Sequence, residues 1–420
     1  MSLILKLRRE IYLVLRASEK YTKTDMVYLA KGGFWLTLMQ VISYIFSFFI
    51  IIAFANLLPK EIYGNYQYIL SLVGTLSALS LNGMGMALLI TTVRGFEGVL
   101  RSAFIISLKY NVVLFIISFI ISFYYYTNNN YMTSISLIVV GILSPLLNSA
   151  KLYDYYLTGK KYFRKSAIYS ILNIIISSIL ILLTLFLTNN LLIIIIVYFL
   201  SNTLMAMIFY LLTLRLHNEY NKIDPITINY AKHLSIINVI SIISTYLDKL
   251  VIFYFLGPAN LAIYYFSIAV PDKIRELILN IRILAIPKFA QRSIKDLKRQ
   301  MFIKMLKLGS IILIIIVVYI ITAPLIYKLF FNEYIDSLFY SQIFALSLIF
   351  SVGIIPNAII HSRTLHKELY LYNISILIFN ILILIPLIYF YGIIGAIISR
   401  ILYKIMILLI SIILVIRLKQ

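Results

Sequence analysis

The stretch "NLLPKEIYGNYQYILSL" (residues 56–72) has a counterpart in "YFLGPANLAIYYFSIAV" (residues 254–270). In both stretches an apolar segment passes through a proline and a short polar turn into a tyrosine-rich segment. Apolar helices joined by proline-containing turns can match by chance, but the two copies lie almost half the chain apart. This spacing predicts two similar halves in the same orientation, a plan known from membrane transporters whose substrate site lies between the halves.

The composition places the chain among membrane proteins. Of 420 residues, 62% are hydrophobic and 12% are charged, with a mean hydropathy of +0.99. Soluble domains have about 25% charged residues. The chain has no cysteine, which excludes disulfides, thiolate metal sites and cysteine nucleophiles. The four histidines show no metal-ligand spacing, so no metal site is predicted.

Membrane spans can be placed by length and apolarity. A spanning helix needs about 20 apolar residues. Twelve stretches meet this requirement, near 33–56, 66–90, 102–126, 133–157, 166–187, 191–214, 233–256, 263–287, 307–327, 338–360, 370–391 and 395–416. The predicted fold class is an all-α polytopic membrane protein with twelve transmembrane helices in two six-helix lobes around a central cavity.

This assignment divides the chain into five parts. The lobes span 33–214 and 233–416, and the polar linker 215–232 joins them. Residues 1–32 intersperse basic residues among leucines and isoleucines, which predicts an amphipathic cytoplasmic segment on the membrane surface. Residues 417–420 form a cytoplasmic tail.

The connections between spans alternate strongly in charge. One set, which includes both termini, holds 27 Lys and Arg residues, whereas the other set holds only Lys60 and Lys328. Positive loops stay in the cytoplasm, so both termini are predicted to be cytoplasmic. The formal net charge of +22 therefore reflects topology, and nucleic acid is not an expected partner.

Two stretches resemble a known family. "LLPKEIYGNYQYILSLVGTLSALSLNGMGMAL" (57–88) and "LDKLVIFYFLGPANLAIYYFSIAVPDKIRELILNIRILAIPKFA" (247–290) resemble the polysaccharide-transporter family. These are the Wzx-type O-antigen and capsule repeat-unit flippases, in the superfamily of MATE drug exporters and lipid II flippases. The match is specific around P-x-E-x-Y-G-x-Y (59–66), L-D-K (247–249) and L-G-P (256–258), whereas Ala262 stands where the family usually has Gly.

The resemblance implies a function, a cellular location and a set of partners. A flippase of this family would move an undecaprenyl-pyrophosphate-linked oligosaccharide from the inner to the outer leaflet of the bacterial inner membrane by alternating access. It would not be an enzyme and would need no cofactor. Its partners would be the lipid-linked oligosaccharide and membrane lipids, with an O-antigen polymerase and a chain-length regulator of lipopolysaccharide synthesis as further candidates.

Charged residues inside the predicted spans indicate a functional interior. A charge at the bilayer centre costs at least ~2.5–3.5 kcal/mol, so such residues usually face a cavity or a partner. Eight basic and four acidic residues lie in the predicted spans: Lys109, Lys151, Lys249, Lys273, Arg275, Arg282, Arg400, Lys404, Asp154, Asp248, Asp272 and Glu276. The positive excess favours an anionic cargo such as a pyrophosphate.

These residues lead to specific predictions. The predicted substrate-binding residues are Lys249, Arg275, Arg282 and Lys109. Charge pairing or coupling is predicted for Asp248, Asp272, Lys273 and Glu276, with cross-helix pairs of Asp248 with Arg275 or Lys273. Pro271 is the predicted hinge because a proline inside a helix removes a hydrogen bond. A purely structural salt-bridge network is the alternative. Arg400 and Lys404 are placed near the outer end of the last span and are not assigned to the site.

Two other functions remain open. A MATE-like cation-coupled drug exporter has the same fold, but its intramembrane acids would be isolated, and here bases outnumber acids. An O-antigen polymerase or glycosyltransferase would need a sizeable outward loop, and the predicted outward loops are short. The pattern leaves the driving force open. Na⁺ or H⁺ coupling would have to use Asp248, Asp272 or Glu276.

Overall fold

In the computed structural model, helices account for almost all of the chain that is described, and that part contains no strand. The described residues are 16, 26–96, 98–216, 225–279, 289, 293–361 and 366–417. Most of the predicted N-terminal segment 1–32, the middle of the linker 215–232, Arg282 and most of the tail 417–420 lie outside these ranges.

The first half of the chain contains eight helices, α1 to α8. They begin and end, in order, at Met26–Leu57, Lys60–Ser77, Met84–Val93, Val99–Thr127, Tyr131–Ala150, Leu152–Gly159, Phe163–Leu187 and Leu191–Leu216. The predicted second span corresponds to two of them, α2 and α3, which are separated by a turn that ends at Gly83.

The second half contains five α-helices and two 3₁₀ segments. Helices α9 to α13 span Pro225–Leu279, Ile294–Phe330, Ser337–Ala345, Ile354–His361 and His366–Arg417, and the 3₁₀ segments span Asn332–Tyr334 and Leu346–Gly353. Helices α9 and α13 are each interrupted by a glycine with non-helical backbone angles. These are Gly257, with φ 81°, and Gly392, with φ 58°.

The two glycines turn each long helix into a pair of spans. Only glycine adopts such positive φ values at little cost, and Pro258 follows Gly257 at a position where its fixed φ starts a helix. In the described residues nine helical segments are long and apolar enough to cross a membrane. Helices α9 and α13 each count as two of the predicted spans, and the α2–α3 pair counts as one more. Every predicted span then has a counterpart in the structure. The all-α polytopic class is therefore confirmed, although not all twelve spans are separate long helices.

Gly257 divides α9 into a first arm, 225–256, and a second arm, 258–279. Helices α2 and α3 pack along the first arm and its junction with the second through small residues. A Cβ atom at Gly64 would lie 1.8 Å from the Pro258 carbonyl oxygen, and one at Gly83 would lie 2.3 Å from the Ala231 carbonyl oxygen. Between these points, a Cβ at Gly74 would meet the ring of Tyr246 at 2.4 Å. Glycines allow helix backbones to approach this closely. We call this contact between the halves the seam.

Polar contacts continue the seam to its inner end. The backbone N–H of Gly83 donates to Ser235 Oγ (2.8 Å), and the hydroxyls of Thr91 and Thr227 lie 3.1 Å apart. Given the predicted topology, the seam therefore runs from the outer to the inner end of the bundle. It fixes the position of α9 against the first half.

A second contact joins the halves at the outer end. Asn56 Nδ2 donates to the Phe330 carbonyl oxygen (2.9 Å), and Lys60 Nζ lies 3.2 Å from Asp336 Oδ2. We call these four residues the outer latch. Beside it the buried ring of Tyr334 packs on Phe266, with ring centroids 3.9 Å apart. The two halves are thus joined at this end as well as along the seam.

Candidate functional site

Asp248 lies at the centre of an ionic cluster in the second half. Its Oδ2 accepts hydrogen bonds from Arg400 Nη1 and from the Tyr264 hydroxyl, the latter at 2.5 Å. Its Oδ1 accepts from the backbone N–H of Lys249 (2.9 Å). Asp248 is buried, so these donors satisfy a carboxylate that lipid could not solvate. Its ionic partner is Arg400 on α13, whereas the sequence suggested Arg275 or Lys273.

Arg400 joins Asp248 to a second carboxylate. Its Nη2 lies 2.8 Å from Asp272 Oδ2, so one planar guanidinium binds acids from both arms of α9. Lys404, one turn further along α13, lies 3.5 Å from Asp272 Oδ1 and donates to Ser347 Oγ at 2.9 Å. Residues four apart on a helix share a face, which brings both bases to the same acid. Two acids and two bases make the cluster formally neutral.

Two basic residues next to this cluster form no salt bridge in the part of the chain that the structure describes. Arg275 lines a cavity of about 240 Å³ together with Asp248, Arg400 and Lys404, yet forms no salt bridge within the described ranges. Lys249 Nζ lies 5.2 Å from the Tyr265 ring centroid and 5.7 Å from that of Tyr246, and it too lacks a salt bridge there. Neither side chain is thus held by a direct ionic contact among the described residues, although Asp272 is close enough to act on both electrostatically. We call the cavity beside Arg275 the second-half cavity.

The polar walls of the second-half cavity complete its chemistry. They carry the hydroxyl and amide groups of Ser241, Ser244, Thr245, Asn380, Ser399 and Tyr403. The hydroxyls of Ser244, Thr245 and Ser399 already donate to backbone carbonyl oxygens. This leaves Ser241, Asn380 and Tyr403 as donors for an anion. The arrangement therefore combines one free guanidinium with neutral donors. Such a site can bind a compact anion.

The other half contains a separate cavity of about 310 Å³. It lies among α1, α2, α7 and α8, and Tyr265 and Lys273 of α9 complete its wall. We call it the first-half cavity. Lys273 is its one charged lining residue in the described part of the chain, and its Nζ lies 2.9 Å from Glu276 Oε2.

The remaining predicted site residues are more scattered. Lys273 and Glu276 pair with each other on α9, and the Glu276 side chain is about half exposed. Lys109 is exposed on α4, away from both cavities. Arg282 lies outside the described residues. Pro271 is buried within α9, but the non-helical residue of that helix is Gly257, so the hinge role of Pro271 stays a prediction.

Sequence reasoning missed Arg400, Lys404 and Tyr264 as members of the cluster. A signal was present, since Arg400 and Lys404 lie four residues apart in an otherwise apolar span. For metals, no group of three His, Asp or Glu side chains is placed to hold an ion among the described residues.

Comparisons with known proteins agree with this architecture. The family model described as "Polysaccharide biosynthesis protein" matches residues 29–287. No protein with curated annotation matches the chain in sequence.

Three solved structures illustrate the similarity of fold. An inward-facing multidrug resistance MATE family transporter of the MOP superfamily has a TM-score of 0.68 at 12% identity, covering 91% of this chain and 97% of that chain. The lipid II flippase MurJ, in an inward closed conformation, has a TM-score of 0.65 at 14% identity, covering 90% and 87%. A MOP superfamily transporter from Pyrococcus furiosus, described as having a binding pocket of reverse polarity, has a TM-score of 0.60 at 12% identity, covering 93% and 94%. At these identities the similarity shows the fold alone.

Proposed function

Since the chain belongs to the polysaccharide biosynthesis protein family, we propose that it is a flippase for a lipid-linked oligosaccharide. The cargo is an undecaprenyl-pyrophosphate-linked repeat unit of O-antigen or capsule. It moves from the inner to the outer leaflet of the bacterial inner membrane by alternating access, without covalent change. Both termini of this multi-pass protein are cytoplasmic, and a polymerase with its chain-length regulator would take up the product.

The observation that supports this proposal most directly is the pair of cations without a salt bridge in the described residues, Arg275 and Lys249. A charge inside the membrane is costly, so a cation that no acid binds directly is retained where a ligand supplies the opposite charge. Arginine offers a planar fork to phosphate oxygens, and lysine acts as a point charge. We assign Arg275 and Lys249 to the pyrophosphate of the cargo.

The ionic cluster has a different role in this proposal. Arg400 and Lys404 are already neutralised by Asp248 and Asp272, so they are poor phosphate ligands. The cluster instead joins the two arms of α9 to α13 and holds Arg275 at the edge of the second-half cavity. The same pairing leaves neither acid free for a cationic drug, which favours an anionic cargo over the exporter function.

A translocation assay tests the proposal. Purified protein is reconstituted into liposomes that carry a polyprenyl-pyrophosphate oligosaccharide with a fluorescent sugar label. We expect the label to become accessible to a membrane-impermeant quencher or glycosidase faster than in protein-free liposomes. Equal rates with and without the protein, in a folded preparation, would refute the flippase function.

The assay also separates the alternatives. An exporter would move a fluorescent cationic drug in the same liposomes and leave the lipid in place. A polymerase would lengthen the oligosaccharide, which mass spectrometry of the recovered lipid would detect.

A further inference from the structure

The first-half cavity differs from the second-half cavity in its charge. Its polar lining consists of hydroxyl and amide side chains, from Ser43, Ser47, Gln67, Asn173, Ser177, Ser178 and Asn202. Its single charged lining residue within the described ranges, Lys273, is paired with Glu276. A ligand of this cavity therefore gains hydrogen bonds rather than ionic contacts.

Two polar atoms of this cavity lack partners. Asn173 Oδ1 and Ser177 Oγ are buried without a hydrogen-bond partner in the part of the chain that the structure describes. Leaving such an atom unsatisfied costs about 1–3 kcal/mol. Asn173 Oδ1 can accept from a hydroxyl, and Ser177 Oγ can both donate and accept. Ligand hydroxyl groups would satisfy both atoms.

The neighbouring asparagine is held in place. Asn202 Nδ2 donates to the Tyr198 carbonyl oxygen (2.8 Å), and Asn202 Oδ1 accepts from Asn173 Nδ2 (3.3 Å). These bonds orient the two amides before any ligand arrives. Preorganised donors and acceptors lower the cost of ordering the site on binding.

Aromatic rings form the rest of the wall. Tyr63, Tyr66, Tyr198 and Tyr265 line the cavity, and the rings of Tyr66 and Tyr198 meet edge to face at 6.2 Å. Flat apolar rings pack against the C–H faces of a sugar, while tyrosine keeps a hydroxyl for its polar edge. The volume of about 310 Å³ lies at the lower end for small-molecule sites, about 300–1,000 Å³.

We propose that the first-half cavity binds uncharged sugar residues of the transported lipid and that it determines sugar specificity. This inference rests on the proposed flippase function, which assigns the pyrophosphate to Arg275 and Lys249. The charge-poor wall favours neutral sugars, including N-acetylated ones, over sugars with carboxylates. Recognition is thus divided, with sugar in the first-half cavity and phosphate at Arg275 in the second-half cavity and at Lys249, which lies beside the Tyr265 ring.

Binding of two lipid probes tests the division. Protein in nanodiscs is titrated with a polyprenyl pyrophosphate that carries no sugar and with the same lipid bearing a neutral trisaccharide. We expect the trisaccharide to tighten binding by at least about tenfold, since one or two net hydrogen bonds suffice for that factor. Asn202→Leu should remove most of this gain and leave the affinity for the bare lipid unchanged.

Asn65 provides a matched control. Its Nδ2 donates to the carbonyl oxygen four residues earlier at 2.8 Å, as that of Asn202 does, but it does not line the cavity. Asn65→Leu should retain the full gain from the trisaccharide. Ser177→Ala is a smaller change within the cavity, and it should lower the gain several-fold even if Asn202→Leu does not fold.

The outcomes separate the inference from the proposed function. If Asn202→Leu and Ser177→Ala both keep the gain, or weaken both probes equally, the sugar site is wrong although the flippase function stands. If wild-type protein binds neither lipid, the flippase function fails. Saturation-transfer NMR with the free trisaccharide then tests the cavity alone. A signal that Asn202→Leu abolishes supports a sugar site, and no signal in wild-type protein overturns it.

Discussion

Arg400 Nη2 lies 2.8 Å from Asp272 Oδ2, on the second arm of α9, and Arg400 also binds Asp248, on the first arm. One guanidinium therefore holds together two helical arms that Gly257 separates. The contact is deep in the bundle, where lipid and side chains replace water. It ties both arms of α9 to α13, and Lys404 adds a second base at Asp272.

We predict that Arg400→Ala strongly destabilises the protein, whereas the triple variant Arg400→Ala, Asp248→Asn, Asp272→Asn recovers much of the loss. Removing one partner of a buried ion pair costs about 3–5 kcal/mol, because the remaining charge is left unpaired. Thermal unfolding in detergent at matched pH measures the effect. If the triple variant is no more stable than Arg400→Ala, unpaired carboxylates are not the cause.

Arg275 should behave in the opposite way. Arg275→Ala should abolish most transport while leaving thermal stability within about 0.5 kcal/mol, since no salt bridge in the described residues depends on it. Arg275→Lys should retain partial transport because it keeps the charge but loses the fork. The measurement is surface polysaccharide, or translocation in liposomes, at matched membrane expression. Normal transport in both Arg275→Ala and Lys249→Ala would refute the proposal that these residues bind phosphate.

At Asp248, shape should matter more than charge for folding. Tyr264 and Lys249 donate to different oxygens of Asp248, so in Asp248→Asn the single amide oxygen can keep one of these two donors, whereas Asp248→Ala leaves both unsatisfied. We expect Asp248→Ala to be less stable than Asp248→Asn by about 1–3 kcal/mol. Folded yield and thermal unfolding of the two variants compare them directly. Equal loss in both would indicate that the ionic contact with Arg400 dominates.

The seam predicts the effect of a single methyl group. Gly64→Ala would place a Cβ atom 1.8 Å from the Pro258 carbonyl oxygen, and backbone cannot move aside cheaply. We expect a severe loss of folded protein. Gly33→Ala is the matched control on α1, since a Cβ there meets nothing within 4 Å. Fluorescence-detected size-exclusion chromatography gives both yields, and a normal yield for Gly64→Ala would contradict the close packing.

The sequence predicted the membrane class, the approximate span positions and the presence of acids inside the spans, because apolarity and charge are local signals. It failed on the partner of Asp248 for a geometric reason. The last span was drawn from 395, which left Arg400 near its end, but the helical arm begins at the Gly392 bend. At 1.5 Å per residue Arg400 then lies about 12 Å deep, close to the depth of Asp248.

The two cavities could not be predicted in this way. Asn173 and Ser177 lie on α7 and Asn202 lies on α8, and neutral residues of these types occur throughout the chain. Their convergence depends on how α7 and α8 rotate about their axes. A nearly uniform apolar segment has no periodicity from which this rotation could be predicted.

The seam also determines how the halves can move past each other. A line of contact packed at Gly64, Gly74 and Gly83 is poorly suited to open as a gate, but it can serve as an axis of rotation. Distances along such an axis stay constant during a transport cycle, whereas distances far from it change. Spin labels at Asn82 and Asn238, whose side chains make an exposed contact of 3.2 Å across the seam, should keep one separation when substrate is added, and labels at 60 and 336 should show two. Because the chain has no cysteine, pairs of introduced cysteines would carry the only labels.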